Sequence, residues 1–267
     1  MKIEEMKAIK AEMGLSYEMI AKRSGVSLGT VKKIFGGYVK SPRYETMMAL
    51  ENFFSGGAIK MQEEAFAYYA DSKKQGEFTI ADVERIPEEI RVELIDGKLY
   101  YLAAPSPIHQ ILTLEIAMKL RAYIDAHGGE CEAGIAATDF KLDSADDKTM
   151  VQPDVFVICD TEKLALKRMI GAPDLAIEIL SPSNSETYRN AKLIKYRDSG
   201  VREYWMVDYD RATITTIDFN DKEHIHLQFY STRDRIPVRI FEGFEIDFSK
   251  IDDYVQNYIA KCEGREG

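Results

Sequence analysis

Two carboxylates in short apolar runs are the residues of this chain best suited to chemistry. Asp154 opens the run Asp154–Cys159, and Glu178 lies inside the run Leu175–Leu180. Each run has the length of a strand buried on both faces, and each begins beside a Pro-Asp pair. An ionised carboxylate inside such a strand is costly unless a metal or a lysine pairs with it. A lone glutamate is more often a strand-end residue turned to solvent, but two carboxylates on neighbouring buried strands predict a site.

A lysine in the helix predicted after Glu178 supplies the cation for this site. Lys192 lies four residues after Tyr188 and four before Tyr196, and therefore on the aromatic face that we expect to pack on the body. Lys195 shares a face with polar residues and is predicted to point to solvent. The alternative for Lys192 is a side chain whose stem packs between two rings while its amine reaches water.

Two carboxylates and a lysine around a water molecule are the groups of metal-dependent phosphodiester hydrolysis. Carboxylates bind Mg²⁺ or Mn²⁺, and the lysine orients the attacking water or stabilises the developing charge. Mg²⁺ (or Mn²⁺) is therefore the predicted cofactor. The sequence has no Walker glycine loop and no dinucleotide fingerprint, so no organic cofactor is predicted.

Residues 1–54 have the pattern of a small helical DNA-binding domain. Ser16 and Ser27 are suitable N-caps for two short helices, and Gly25 can supply a left-handed turn between them. Their spacing resembles the helix-turn-helix of phage-repressor-type domains, which implies that the second helix enters the major groove. The residues presented to DNA would be Ser27, Leu28, Thr30, Lys32 and Lys33. A helical hairpin that only packs or dimerises is the alternative, because Leu28 and Gly29 offer few base-reading groups.

The elements that must position these residues divide the chain into three parts. Residues 1–57 are predicted to form the helix-turn-helix domain, 58–77 a connecting helix or linker, and 78–267 the catalytic body. In the body, a hairpin over 92–102 with a type I′ Asp-Gly turn precedes a helix over 108–127. Besides the two apolar runs, strands are predicted at about 134–142, Glu203–Val207, Thr213–Phe219, His226–Tyr230 and Pro237–Ile240. Tyr204 and Trp205 are predicted to be core residues. We expect an α/β body with a mixed sheet and flanking helices, plus a small all-α domain at the N-terminus.

Charge and cysteine content limit the partners and the compartment. The net charge is −10, yet residues 1–57 hold nine Lys or Arg against six Asp or Glu, a balance of +3 that leaves −13 for the remainder. A basic N-terminal segment in an otherwise acidic chain is consistent with contact between that segment and nucleic acid. No apolar run reaches the roughly 18 residues of a membrane span, and MKIEEMKAIKAEMG is predicted to form an amphipathic helix and not a signal peptide. Three distant cysteines (Cys131, Cys159 and Cys262) indicate a reducing compartment, so a cytoplasmic protein without membrane contact is predicted.

Residues 78–250 resemble the Uma2 family of restriction-endonuclease-like proteins, within the PD-(D/E)xK nuclease superfamily. Pro153-Asp154 and Glu178 carry the superfamily motif, and the five segments that match the Uma2 family stand in family order. These are VELIDGKLYYLAAPSPIHQ, VQPDVFVIC, LAIEILSPSNS, KLIKYRDSGVREYWMVD and IFEGFEID. The resemblance implies a restriction-endonuclease-like fold in which Leu180 occupies the usual lysine position of the strand. Lys192 matches the lysine that such proteins supply from the next helix.

The resemblance also implies two further site residues. Glu93 would ligate the metal or orient a ligand water, and His109 would lie near the active site. From the residues alone, His109 reads equally well as a polar residue at a helix N-terminus. Thr187 and Tyr209 depart from the family pattern, but neither departure removes a proposed metal ligand.

Taken together, these features predict a cytoplasmic, Mg²⁺-dependent DNA endonuclease that a helix-turn-helix recruits to DNA. Asp154, Glu178 and Glu93 would bind metal, Lys192 would assist the attacking water, and His109 would belong to the site. The superfamily analogy implies a homodimer, because cutting both strands needs two sites. The rival hypothesis is a transcriptional regulator or antitoxin-like protein whose nuclease fold serves dimerisation or ligand sensing.

Overall fold

The chain divides into two structural units. The first comprises residues 1–104 and 182–188, and the second comprises residues 105–181 and 189–267. The computed structural model describes residues 2–12, 15–39, 42–54, 73–86, 90–102, 105–181, 186–221 and 226–264. Most of the predicted connecting segment, residues 58–72, lies outside the described residues. In the part of the chain that is described, no helix is long and apolar enough to cross a membrane.

Four helices form the N-terminal part of the first unit. They are α1 (Ile3–Glu12), α2 (Tyr17–Ser24), α3 (Leu28–Phe35) and α4 (Tyr44–Asn52). The side chain of Ser16 accepts a hydrogen bond from the third residue of α2's first turn, and Ser27 does the same for α3, so both predicted N-caps are confirmed. Gly25 has a φ of 73°, which is the left-handed turn expected between α2 and α3. Apolar faces of the helices meet in one core, built from Met6, Leu15, Ile20, Val31, Ile34, Phe35, Leu50, Phe53 and Phe54.

A β-hairpin completes the described part of the first unit. After the short helix α5 (Ile80–Val83), strands β1 (Val92–Ile95) and β2 (Lys98–Tyr101) pair antiparallel. Asp96 and Gly97 have φ values of 50° and 70°, which confirms the predicted type I′ turn. A Cβ on Gly97 would collide with the backbone of the Gly76 segment packed against it, so this position requires glycine for space as well as for φ.

The second unit is built on a six-stranded mixed sheet with the strand order β10-β9-β8-β7-β5-β3. Its strands are β3 (Glu132–Ile135), β5 (Val155–Ile158), β7 (Leu175–Ile179), β8 (Glu203–Asp208), β9 (Thr213–Asp218) and β10 (His226–Ser231). Only the central pair β7–β8 is parallel among these neighbours, and the helix between them makes the crossover. Two small pairs lie outside this sheet: β4 (Phe140–Lys141) with β6 (Met169–Ile170), and β11 (Arg235–Pro237) with β12 (Glu245–Asp247).

Helices cover both faces of the sheet. The helices α6 (Pro107–His127) and α8 (Phe248–Glu263) pack on the face that carries Ile177 and Trp205. The helix α7 (Glu186–Ser199) contacts the opposite face, because its Tyr196 packs against Tyr204, the neighbour of Trp205 in β8. The expected fold class, a mixed sheet with flanking helices beside a small all-α domain, is therefore confirmed. Trp205 and Tyr204 are both core residues, as expected.

The predicted strand over residues 134–142 is wrong as a single element. β3 ends at Ile135, after which the N–H of Ala136 donates to the carbonyl of Asp154. The chain then leaves the large sheet, and Phe140 pairs with Val151 and Met169 while its ring packs edge-on against Phe156 at 4.7 Å. Phe140 is thus buried outside the large sheet, and residues 134–142 are divided between β3 and β4. The strand expected over 237–240 is also displaced, to Arg235–Pro237.

Two of the three cysteines are paired with each other, which the distance between them in the sequence did not indicate. Cys131 and Cys159 form a disulfide across a sequence separation of 28 residues. Glu132 pairs with Ile158 in the antiparallel ladder of β3 and β5, so the next pair outward brings the two cysteines directly opposite each other. Cys262 is free and exposed. The cysteine pattern therefore gives no support to a reducing compartment.

Candidate active site and DNA-binding surface

Asp154 and Glu178 come together because β5 and β7 are neighbours in the sheet. Val155 pairs with Ile177 in the antiparallel ladder, and continuing this register sets Asp154 opposite Glu178. The apolar run suggested that Asp154 lies inside the strand. In the structure, Asp154 instead precedes the first residue of β5 by one position. The backbone N–H of Ile179 donates to Asp154 Oδ2 at 2.8 Å and ties the two strand ends together. The structure thus brings the two predicted carboxylates to one place.

Glu178 accepts hydrogen bonds from two side chains of α7. Lys192 Nζ lies 2.6 Å from Glu178 Oε1, and the Tyr196 hydroxyl donates to the same oxygen at 2.7 Å. The lysine side chain is 2% exposed and its amine lies 5.8 Å from the centre of the Tyr196 ring. The alternative of an amine reaching solvent is therefore wrong, and Lys192 neutralises Glu178 within the protein. The helical spacing puts Tyr196 on the face that packs on the body, but nothing in the sequence indicates its hydrogen bond to the carboxylate.

His109 contacts the other carboxylate. Its Nε2 atom lies 3.2 Å from Asp154 Oδ2, and both side chains are about one-sixth exposed. Ser106 caps α6 by accepting from the backbone N–H of His109, and the Thr113 hydroxyl donates to the backbone carbonyl of His109 at 2.9 Å. Both interpretations of His109 thus hold in part, since it stands in the first turn of a helix and also touches a predicted site residue. Its catalytic role stays a prediction.

The two oxygens of Asp154 have different surroundings. Oδ2 takes both hydrogen bonds, from His109 and from the Ile179 backbone. Among the described residues, no group donates to Oδ1. One oxygen is therefore used to fix the carboxylate, and the other keeps its lone pairs for a further ligand.

Glu93 is fully buried in β1 of the first unit, where the Tyr188 hydroxyl donates to it. The Tyr188 ring packs against Tyr100 at 5.0 Å, so a strand residue of the hairpin holds the donor in place. A buried carboxylate of this kind agrees with a functional or a structural role alike. Its assignment as a metal ligand stays a prediction.

The donor set at Asp154 and Glu178 fits a hard divalent cation. Within the described ranges, no group of three or more His, Cys, Asp or Glu side chains could hold a metal ion. Two carboxylates offer oxygen ligands only, which Mg²⁺ and Mn²⁺ prefer, and Mg²⁺ keeps several waters and needs only one or two carboxylates. These residues therefore suit Mg²⁺ or Mn²⁺.

The predicted DNA-contacting residues lie on α3 and at its N-cap. Four of them are exposed and Thr30 is half-buried, while the opposite face of α3 enters the core through Val31 and Ile34. The exposed residues are Ser27, Leu28, Lys32 and Lys33. Lys32 forms an ion pair with Glu18 at 3.3 Å in which both side chains are largely exposed. Such a pair is weak, so the lysine can exchange its carboxylate partner for a phosphate.

Two family models match separate stretches of the chain. The Uma2 family model, described as "Putative restriction endonuclease", matches residues 80–249, and a helix-turn-helix model matches residues 6–55. An uncharacterized protein of Synechocystis sp. is 27% identical over 157 residues, which make up 58% of this chain and 80% of that protein. The crystal structure of a "putative nuclease belonging to DUF820" from Anabaena variabilis superposes with a TM-score of 0.54 at 18% identity. The match covers 65% of this chain and 97% of the Anabaena chain. At that identity, the likeness establishes the fold alone.

Proposed function

The chain belongs to the Uma2 family, and from this premise we propose that it is a metal-dependent endonuclease recruited to DNA by its helix-turn-helix. The observation that carries the proposal is the arrangement of Asp154, Glu178 and Lys192. Two carboxylates face each other across paired strands, and a buried lysine on α7 contacts one of them. Carboxylates for a divalent cation and a cation for the developing charge are the groups that phosphodiester hydrolysis requires.

The residues divide the work of the reaction between them. Asp154 and Glu178 would hold Mg²⁺ or Mn²⁺, which when bound polarises the scissile phosphate and lowers the pKa of a water molecule. Asp154 is fixed by the N–H of Ile179 and by His109, so its Oδ1 is pre-oriented. Lys192 sits in a water-poor setting, where its charge acts strongly on the attacking water or on a phosphate oxygen. His109 serves as a positioning residue for Asp154.

The decisive experiment is cleavage of supercoiled plasmid by the purified full chain with Mg²⁺ or Mn²⁺. We expect nicking by the wild type, and a loss of at least about 100-fold in D154N. Asparagine keeps a carbonyl oxygen for the two donors at Oδ2 and replaces only Oδ1, so the fold is preserved while a metal oxygen is lost. K192M should lose activity similarly, since it removes the charge and keeps the length of the stem.

Lys195 provides the matched control, because it lies in the same helix three residues beyond Lys192 and is partly exposed. K195M should cleave within about twofold of the wild type, an expectation that follows from distance and solvent screening. Cleavage by D154N and K192M at the wild-type rate would show a contaminating nuclease or a site elsewhere. Thermal melts with and without Mg²⁺ give a readout independent of activity, because a bound ion stabilises the fold and D154N should lose that gain.

A second candidate function rests on the helix-turn-helix match over residues 6–55. If the wild type cleaves neither single-stranded nor double-stranded DNA, the protein is better described as a DNA-binding regulator with a nuclease-like body. Tight DNA binding in EDTA, abolished by substitution of Lys32 and Lys33, would support that description. Binding that needs a divalent ion and survives those substitutions would count against it.

We further propose that the protein acts as a homodimer. Two identical sites related by a twofold axis match the two antiparallel strands of duplex DNA. Light scattering on the purified chain measures the mass directly. A monomer that cuts only one strand would contradict the dimer without affecting the assignment of the site.

A further inference from the structure

One oxygen of Glu178 is shared by two donors that come from the same helix face. Lys192 and Tyr196 are one turn apart in α7, and both reach Oε1, at 2.6 and 2.7 Å. A carboxylate oxygen has lone pairs for both bonds. The site chemistry uses only the lysine, so the tyrosine hydroxyl calls for an explanation of its own.

The lysine has two tasks that conflict. It must neutralise a glutamate that is buried in the central strand β7, and it must also reach the attacking water or the phosphate. A buried carboxylate abandoned by its partner is strongly destabilised. Movement of the amine away from Glu178 therefore needs a second group that keeps a hydrogen bond on the carboxylate.

We infer that Tyr196 is the positioning residue that holds Glu178 while Lys192 moves toward the reacting groups, a role that rests on the proposed nuclease function. The tyrosine is suited to stay in place. Its side chain is fully buried, and its ring packs against Tyr204 of β8 at 5.1 Å. Its backbone carbonyl accepts hydrogen bonds from the N–H of Val201 and the hydroxyl of Ser199, which anchor the end of α7. Lysine, by contrast, is a flexible four-carbon stem with a mobile charge.

The test is single-turnover and steady-state cleavage by the full chain carrying Y196F. Loss of one charge-assisted hydrogen bond that matters only when the lysine moves should lower kcat about 10- to 100-fold. KM for DNA should stay within about twofold of the wild type, since Tyr196 is buried and contacts no substrate.

Tyr209 supplies the matched control. Its hydroxyl donates to the buried Asp252 at 2.7 Å, a tyrosine–carboxylate bond of the same length that lies outside the site. Y209F should therefore keep kcat within about twofold while lowering stability to an extent comparable with Y196F. All rates are measured at a temperature where the circular dichroism of every variant matches that of the folded wild type.

Each outcome decides the matter. Wild-type kcat in Y196F, or equal losses in Y196F and Y209F, would overturn the role of Tyr196 alone. A Y196F chain that is unfolded at every temperature would also overturn it, because the residue would then be structural. No cleavage by the wild type would overturn the nuclease proposal and the role of Tyr196 with it.

Discussion

Glu203 is a carboxyl group buried in β8 on which the stability of the second unit depends. Burial raises the pKa of Glu203 to about 7, although hydrogen bonds from Trp205 Nε1 at 2.6 Å and from the backbone N–H of Ile240 at 3.0 Å oppose this rise. The group therefore takes up its proton near neutral pH.

The raised pKa predicts that stability falls as pH rises through neutrality. The unfolded chain loses this proton near pH 4.5, whereas the folded chain keeps it to about pH 7. Between those values the folded state binds more protons, so the free energy of unfolding decreases with pH, by at most about 3 kcal/mol, and levels off above about pH 8. Urea titrations at pH 5.5, 7 and 8.5 measure this slope. E203Q should flatten it, and a slope unchanged in E203Q would assign the effect to another group.

A single site residue can be predicted from the sequence where its chemical type conflicts with that of its sequence neighbours. Glu178 was found because a charged residue interrupts an apolar run, and the structure places it 8% exposed against Lys192. Glu203 was missed because it stands at the start of a strand beside Arg202, where an acid is unremarkable. Its burial comes from the Ile240 segment, which lies far along the chain. Tyr196 was seen only as an apolar-face residue, because the crossing of α7 over β7 is not encoded locally.

At the level of elements, the ladder of β3 and β5 is closed at one end by the Cys131–Cys159 disulfide and at the other by the Ala136–Asp154 backbone hydrogen bond. β3 is an edge strand of the large sheet, and edge strands detach more readily than central ones. The covalent link thus keeps this edge on the strand that leads from Asp154.

The disulfide has measurable consequences for the free energy of unfolding and for thiol labelling. Replacing both cysteines by serine should lower the free energy of unfolding by about 3 kcal/mol, as expected for a closed loop of this length. A thiol reagent applied to the unfolded, unreduced protein should label Cys262 alone. Three labelled cysteines, together with no loss of stability in the double serine variant, would show that the bond is absent in solution.

Elements with local signals were predictable, and those fixed by distant contacts were not. The N-caps Ser16 and Ser27 and the turn at Asp96-Gly97 depend on neighbouring residues, and all appear as expected. The break after β3 and the disulfide depend on which strands become neighbours. No pattern within a window of ten residues carries that information.

On the scale of the whole molecule, the chain joins a helix-turn-helix match over residues 6–55 to a nuclease-family match over residues 80–249. These fall within the first and third predicted parts, and the boundaries at 57 and 77 stay predictions. Residues 1–57 carry a net positive charge while the remainder of the chain is acidic. The lysines of α3 contribute to that positive charge, and they are exposed on the face opposite the core residues of the helix.

Salt-dependent DNA binding tests the role of the N-terminal segment. K33A should weaken binding of the full chain to duplex DNA and should reduce the slope of log affinity against log salt by about one. Fluorescence polarisation in EDTA between 50 and 200 mM salt, a range over which phosphate contacts are resolved, gives the slope without cleavage. Lys250 of α8 is the control, because it is exposed on the second unit. An equal change in K250A would place the DNA contact elsewhere.

The position of Lys192 on α7, and not on β7, has a consequence for how this chain tolerates changes in length. A helix turns about 100° per residue, so one residue gained or lost between Lys192 and Tyr196 would rotate one of the two donors away from Glu178. A change of three or four residues would restore the direction in which the donor points, but would shift it by about 5 Å along the helix. The spacing of the two donors is therefore the part of α7 that tolerates no change in length.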